Sequence, residues 1–176
     1  MKLENYYIPA LSDKNTLHSY LPAYNVILES LLAKNPTPRI LEIGIQRGGS
    51  LLMWKHAVPT AEVFGLDIDP PSAVLKDVPV VCIQGDAYSE KAIAFFHDRG
   101  FEFDFIVEDG SHTPEHILWA ASHYPKLLRK GGVMVIEDIP SQECLDTLKA
   151  TYPEGNVIDL RSVKGRYDDI LFSISR

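Results

Sequence analysis

Five short apolar runs, RILEIGI, EVFGLDI, VPVVCIQG, FDFIVED and GGVMVIEDI, alternate along this chain with stretches compatible with helix. Apolar runs of that length suit strands buried on both faces, and their alternation with helices calls for a parallel sheet covered on both sides. The last two runs break the rhythm. VIDLRSV and DILFSIS are separated only by Lys164 to Asp168, a link too short for a parallel crossover, so the two are expected to pair antiparallel. The chain is thus predicted to be α/β, with a Rossmann-like, doubly wound, mostly parallel sheet and an antiparallel C-terminal hairpin. Ahead of the first run, apolar residues from Leu17 to Leu32 recur at helical spacing until Asn35 and Pro36, which predicts an N-terminal helix on the core. We divide the chain into an N-terminal helical cap segment, residues 1–36, and a main domain, residues 37–176.

The bulk properties narrow the partners. A length of 176 residues with 45% hydrophobic content fits one domain with a sizeable core. A formal charge of −7 offers no general attraction to nucleic acid phosphates or anionic membranes, so small neutral or cationic ligands are expected instead. The start, MKLENYYIPAL, lacks the apolar stretch of a signal peptide, and no later segment is long enough to span a bilayer. Cys82, in an apolar run, and Cys144, in a predicted helix, show no metal or disulfide spacing and are read as buried thiols of a cytoplasmic protein.

Ligands of an open parallel sheet bind outside the carboxyl ends of its strands. Those ends are acidic here: Glu42, Asp67, Asp69, Asp86, Glu108, Asp109, Glu137 and Asp138 make eight of the 24 carboxylates of the chain. Like charges gathered in this way need a cation or hydrogen-bond donors. The first loop, Gly44 to Ser50, leads into a helix; its glycines, Gly48 among them, allow close backbone approach, and Ser50 is the expected helix cap. Gln46 stands where a dinucleotide site has its second glycine, which favours a nucleoside without pyrophosphate and disfavours an NAD-binding oxidoreductase. Asp67, 23 residues after Gly44, is placed to accept hydrogen bonds from ribose hydroxyls.

Further on, Asp109, Glu137 and Asp138 follow adjacent strands and can converge as hard oxygen ligands for Mg²⁺. Thr113 and Pro114 fit the cap and first residue of a helix, so His112 stands just outside it, facing the ligand edge. The same proline argues against reading His112 to His116 as the H-x-x-E-H of a zinc peptidase. His116 is expected near the pocket. His18, His56, His97 and His123 are read as surface or packing residues, and Trp54 and Trp119 as core.

The segments LEIGIQRGGSLLMW, GLDIDP, EDGSH, GGVMVIED and YDDIL, spread from about Ile40 to Phe172, resemble the class I S-adenosylmethionine-dependent methyltransferases. Within that class they resemble the metal-dependent sugar O-methyltransferases of macrolide biosynthesis and their cephalosporin-biosynthesis relatives. The resemblance implies a seven-stranded sheet. It places Glu42 and Gly44 beside the methionine part of the cofactor, Asp67 at the ribose and Asp86 at the adenine edge. It makes Asp109 and the Glu137-Asp138 pair metal ligands and His112 the general base. The expected function is divalent-metal-assisted O-methylation of a small hydroxylated acceptor, a sugar or natural product; a cofactor-binding module without catalysis is the other reading. Symmetric self-association is one way to complete the acceptor pocket, and the sequence does not set the number of subunits.

Overall fold

The computed structural model describes residues 2–71 and 73–176. Its strands are β1 (Arg39–Ile43), β2 (Glu62–Asp67), β3 (Val80–Gln84), β4 (Phe103–Glu108), β5 (Leu128–Ile136), β6 (Asn156–Asp159) and β7 (Ile170–Ser175), and they form one sheet in the order β3-β2-β1-β4-β5-β7-β6. The pairs from β3 to β5 are parallel, while β7 runs antiparallel to both β5 and β6. The predicted sheet and its antiparallel end are therefore both present. Between the strands lie α2 (Gly49–Ala57), α3 (Glu90–His97), α4 (Pro114–His123), α5 (Gln142–Thr151) and the single turn α6 (Arg161–Lys164), with α1 (Leu21–Lys34) ahead of them.

Strand pleating sends alternate residues to opposite faces. Ile40, Phe105 and Val107 pack in one apolar layer with Tyr24 and Leu28 of α1 and Trp54 of α2. Leu41 and Ile106 pack in the other with Phe96, Ile117 and Leu148 of α3, α4 and α5. Covering both faces leaves the sheet's carboxyl edge as the place where polar groups meet. At that edge the chain leaves β1 for one side of the sheet and β4 for the other, a topological switch point at which adjacent strand ends separate into a crevice.

Four local readings change. The Arg161–Lys164 stretch is a helical turn rather than part of a strand, closed by Gly165 at φ +74°. Helix α1 begins at Leu21, not Leu17, with Pro22 in its first turn, where its missing N–H costs nothing. Cys82 is exposed because β3 is an edge strand, whereas Cys144 is buried as expected. Ser50 does not cap α2; Gly48 does, at φ +79°, and Ser50 lies buried within the first turn. Thr113, by contrast, caps α4 as read, its hydroxyl accepting from the amide of His116.

Residues 6–20 hold neither strand nor helix and cross the carboxyl edge. They are fastened from the far end of the chain. The Lys164 ammonium donates to the carbonyls of Asn15 at 2.7 Å, Thr16 at 3.3 Å and His18, and the amide of Ser19 donates to Asp169 at 3.3 Å.

Candidate active site

A cavity of about 490 Å³ opens at the switch point, with Gly44, Asp67, Asp86, Tyr88, Asp109 and His112 in its wall. Gly44 has φ +82°, and a Cβ built on it would lie 2.0 Å from the carbonyl oxygen of Asp109, so the first loop passes the end of β4 at a distance only glycine permits. Asp67 pins that loop: one carboxylate oxygen accepts from the amides of Ile45 at 2.6 Å and Gln46 at 3.2 Å, the other from Asp69 at 2.9 Å. Gln46 is itself left-handed, at φ +46°. Asp86 faces the same space and accepts from the amide of Tyr88. Glu42, Gly48 and Ser50 lie behind the wall. Glu42 is fully buried and accepts from the Trp54 indole at 3.0 Å, and Gly48 packs on Leu75.

At the other end of the cavity, donor atoms of Asp109, His112 and Asp138 lie within 4.8 Å of one another. His112 Nε2 is 3.8 Å from Asp109 Oδ1 and 3.7 Å from Asp138 Oδ2. His112 and Asp138 both have φ +54°, a left-handed conformation that is strained for residues other than glycine and is retained mostly where function requires it. Glu137, grouped with these residues in the sequence reading, is turned the other way. It is buried and accepts from Lys14 at 2.6 Å and from the Tyr24 hydroxyl.

The irregular N-terminal segment supplies the partners that sequence reasoning missed. Lys14 is 1% exposed, with its ammonium 2.5 Å from Asp109, 2.6 Å from Glu137 and 3.3 Å from Glu42. Burial works against its charge, but the three acids outweigh burial and hold the ammonium well above the ordinary lysine range. One cation among three carboxylates leaves surplus negative charge. Burial accordingly pushes Glu42 and Glu137 up, against the opposing pull of Lys14. Tyr20 donates its hydroxyl to Asp138. His18, expected at the surface or in ordinary packing, is buried and faces two acids, 3.1 Å from Asp138 and 3.4 Å from Asp169, and is stacked on Tyr20.

Tyr88 braces the remaining wall. Its hydroxyl donates to Glu108 at 2.6 Å and accepts from the amide of Ser111 at 2.9 Å, and its ring stacks on His116 at 4.0 Å. His116 thus borders the cavity, as expected. Tyr88 stands two residues beyond Asp86 at the same sheet edge, a position that was a legible sign of it. Burial pushes Glu108 up to about 7. An acid whose folded pKa is raised favours folding most at low pH, and that contribution is lost as the pH climbs from about 4.5 through 7. We therefore expect Glu108→Gln to match the native protein in urea unfolding near pH 4.5 and to exceed it near pH 8, by roughly 3 kcal/mol at most. Parallel stability curves for the two proteins would contradict this.

A sheet of this order, with a glycine-lined crevice at its switch point and acids on the neighbouring strand ends, defines a methyltransferase domain. Residues 41–139 match the methyltransferase domain family, and the chain belongs to it. It is similar to mycinamicin VI 2''-O-methyltransferase of Micromonospora griseorubida, 33% identical over 130 residues that cover 70% of this chain and 32% of that protein. It is likewise similar to demethylmacrocin O-methyltransferase of Streptomyces fradiae, 32% identical over 131 residues, 70% of this chain and 32% of that one. Among solved structures, MycE methyltransferase from the mycinamycin biosynthetic pathway, in complex with Mg and SAH, superposes with a TM-score of 0.73 at 27% identity over 98% of this chain and 54% of its own. The chain thus spans about a third of the length of these sequence relatives and about half of that structure. The resemblance read from the motifs is borne out. Among the described residues no helix is long and apolar enough to cross a membrane.

Proposed function

We propose that this chain is an S-adenosylmethionine-dependent, divalent-metal-assisted O-methyltransferase of small hydroxylated acceptors, sugar-bearing natural products among them. The observation that carries the reading is one cavity with Asp67 and Asp86 at one end and Asp109 and His112 at the other. That is the layout needed to hold a nucleoside and a reacting oxygen in line. The solved relative bound to Mg and SAH supports both cofactors here. In this reading residues 1–36 cap the site, Asp67 bonds the ribose through its unused lone pairs, Asp86 and Tyr88 flank the adenine, and Glu42 lends negative charge beneath a sulfonium. The proposed partner is the small acceptor alone, with neither nucleic acid nor membrane required.

The donor set fits a hard cation. Atoms around a Mg²⁺ with bonds of about 2.1 Å stand roughly 3–4.2 Å apart; His112 Nε2 lies 3.8 Å and 3.7 Å from the facing oxygens of Asp109 and Asp138, and the three atoms lie within 4.8 Å of one another. Oxygen ligands suit that ion best, so Asp109 and Asp138 are assigned to hold it, Glu137 supports them from behind through Lys14, and His112 is left free for proton transfer. A bound divalent cation offsets the carboxylate charge and acidifies a hydroxyl that it contacts. His112 Nε2 would take the proton of the acceptor hydroxyl, and S-adenosylmethionine held along Asp67 and Asp86 would supply the methyl group, its S–CH3 bond breaking as the O–CH3 bond forms and S-adenosylhomocysteine leaving. Asp109 and Asp138 flank that imidazole and stabilise the positive charge it acquires.

The test is methyl transfer from labelled S-adenosylmethionine to a panel of glycosylated macrolides and free deoxysugars, with Mg²⁺ and with a chelator. Transfer to sugar hydroxyls is expected with Mg²⁺, and a loss of 100-fold or more with the chelator. Transfer that ignores the chelator would remove the metal from the mechanism. Tight cofactor binding without turnover on any acceptor would favour the non-catalytic module.

A further inference from the structure

Each of the two assigned cation ligands is divided between two neighbours. Asp109 gives Oδ2 to Lys14 at 2.5 Å and leaves Oδ1 toward His112. Asp138 gives Oδ1 to the Tyr20 hydroxyl and His18 and leaves Oδ2 toward His112. In both cases the inner oxygen is bound by the N-terminal segment and the outer one faces the cavity side. The segment makes these contacts from an irregular stretch, and the two side chains that do so are essentially inaccessible to solvent, Lys14 at 1% and Tyr20 at 0%.

We propose that Lys14 and Tyr20 are positioning residues for the cation: by binding one oxygen of Asp109 and one of Asp138 they present a single oxygen from each carboxylate. The inference rests on the assignment of Asp109 and Asp138 as cation ligands. A carboxylate free to rotate can offer both oxygens to a metal or turn away from it; fixing one oxygen removes both options. It also leaves the remaining coordination positions to solvent and the acceptor. Lys14 further keeps Glu137 and Glu42 engaged, so that these acids do not close around the ion.

The sign of one effect makes this testable. Removing a positive charge beside a cation site tightens cation binding if charge alone matters, whereas losing a positioning contact weakens it. Mn²⁺ binding by the full chain, followed through the free-ion paramagnetic resonance signal, is to be compared for wild type, Tyr20→Phe, Lys14→Met and Asp109→Asn, with SAH affinity and Tm recorded for each. Tyr20→Phe changes no charge and is expected to weaken Mn²⁺ binding 10- to 100-fold, the usual effect of losing a group that orients a ligand. Lys14→Met is expected to weaken it as well, despite the added negative charge. SAH affinity should be preserved in both. A merely structural role would lower Tm without moving the Mn²⁺ Kd of the folded protein.

An unchanged or tighter Kd in Tyr20→Phe overturns the proposal, and the same result in Lys14→Met strikes Lys14 from it. Should Lys14→Met not fold, Tyr20→Phe alone decides. If wild type does not bind Mn²⁺, or Asp109→Asn binds it equally well, the cation assignment falls and the positioning role with it. Loss of Mn²⁺ in Asp109→Asn together with full retention in the other two variants sinks only the positioning role.

Discussion

Methyl transfer by the His112→Ala protein is expected to fall by roughly two to four orders of magnitude, the usual contribution of a general base. The loss should appear in kcat with SAH affinity little changed, because the imidazole stands at the acid end of the cavity, away from Asp67 and Asp86. A second measurement separates base from ligand. His112 Nε2 lies near enough to both Asp109 and Asp138 to join them around a metal. If it did so, His112→Ala would also cost 10-fold or more in Mn²⁺ affinity, as the loss of a liganding group does. If it is the base, the Mn²⁺ Kd should stay close to that of wild type. Activity near the wild-type level in the alanine variant would end the assignment altogether.

The second large effect lies in the backbone. Gly44→Ala is expected to cost roughly 3 kcal/mol or more, combining a left-handed alanine with a methyl group forced against backbone. The built Cβ sits 2.0 Å from the Asp109 carbonyl, and no side-chain rotation relieves that contact. Relief requires β1 and β4 to part at their carboxyl ends, which would displace Asp109 and open the cofactor crevice. SAH binding should therefore be lost together with about 10 °C in Tm, taking a few degrees per kcal/mol for a chain of this size. Gly100→Ala is the control. Gly100 is also left-handed, at φ +65°, but nothing lies within 4 Å of its built Cβ. If the two variants prove equally mild, the close approach of the first loop to β4 is not what holds the site together.

The two halves of the site differed in how well the sequence revealed them. Asp67, Asp86, Asp109 and His112 follow apolar runs whose period and length identify strands, and topology alone brings such positions to one edge. The turn chemistry of Thr113 and Pro114 was legible for the same reason: it acts between neighbours in the chain. Lys14 was not legible, because its partner lies 95 residues away and the residues around it have no periodicity, and Tyr20 was read only as part of an apolar helix face, since the acid its hydroxyl meets lies 118 residues away. His18 gave a misleading sign, since a lone histidine ahead of a helix looks the same whether it meets water or Asp138. Cys82 shows another limit: an apolar run marks a strand but not its place in the sheet, and β3 proved to be an edge. Glu137 and Asp138 are neighbours that the pleat and a left-handed turn send in opposite directions, one inward to Lys14 and one toward His112.

The fastening of residues 13–20 by residues 164–169 sets an order of events during synthesis. A chain growing from its N-terminus can pair β1 with β2 and then with β4 while the ribosome is still at work, because those contacts involve residues already made. Lys14, His18 and Tyr20 have no such opportunity, since Lys164 and Asp169, which hold their segment, are made only after those strands. The crevice between the ends of β1, β2 and β4 can therefore take shape first, and the acids beside it gain their full set of partners later. A chain cut before Lys164 would keep the residues that pair β1 with β2 and β4 but lose the bonds that fasten the segment carrying Lys14 and Tyr20.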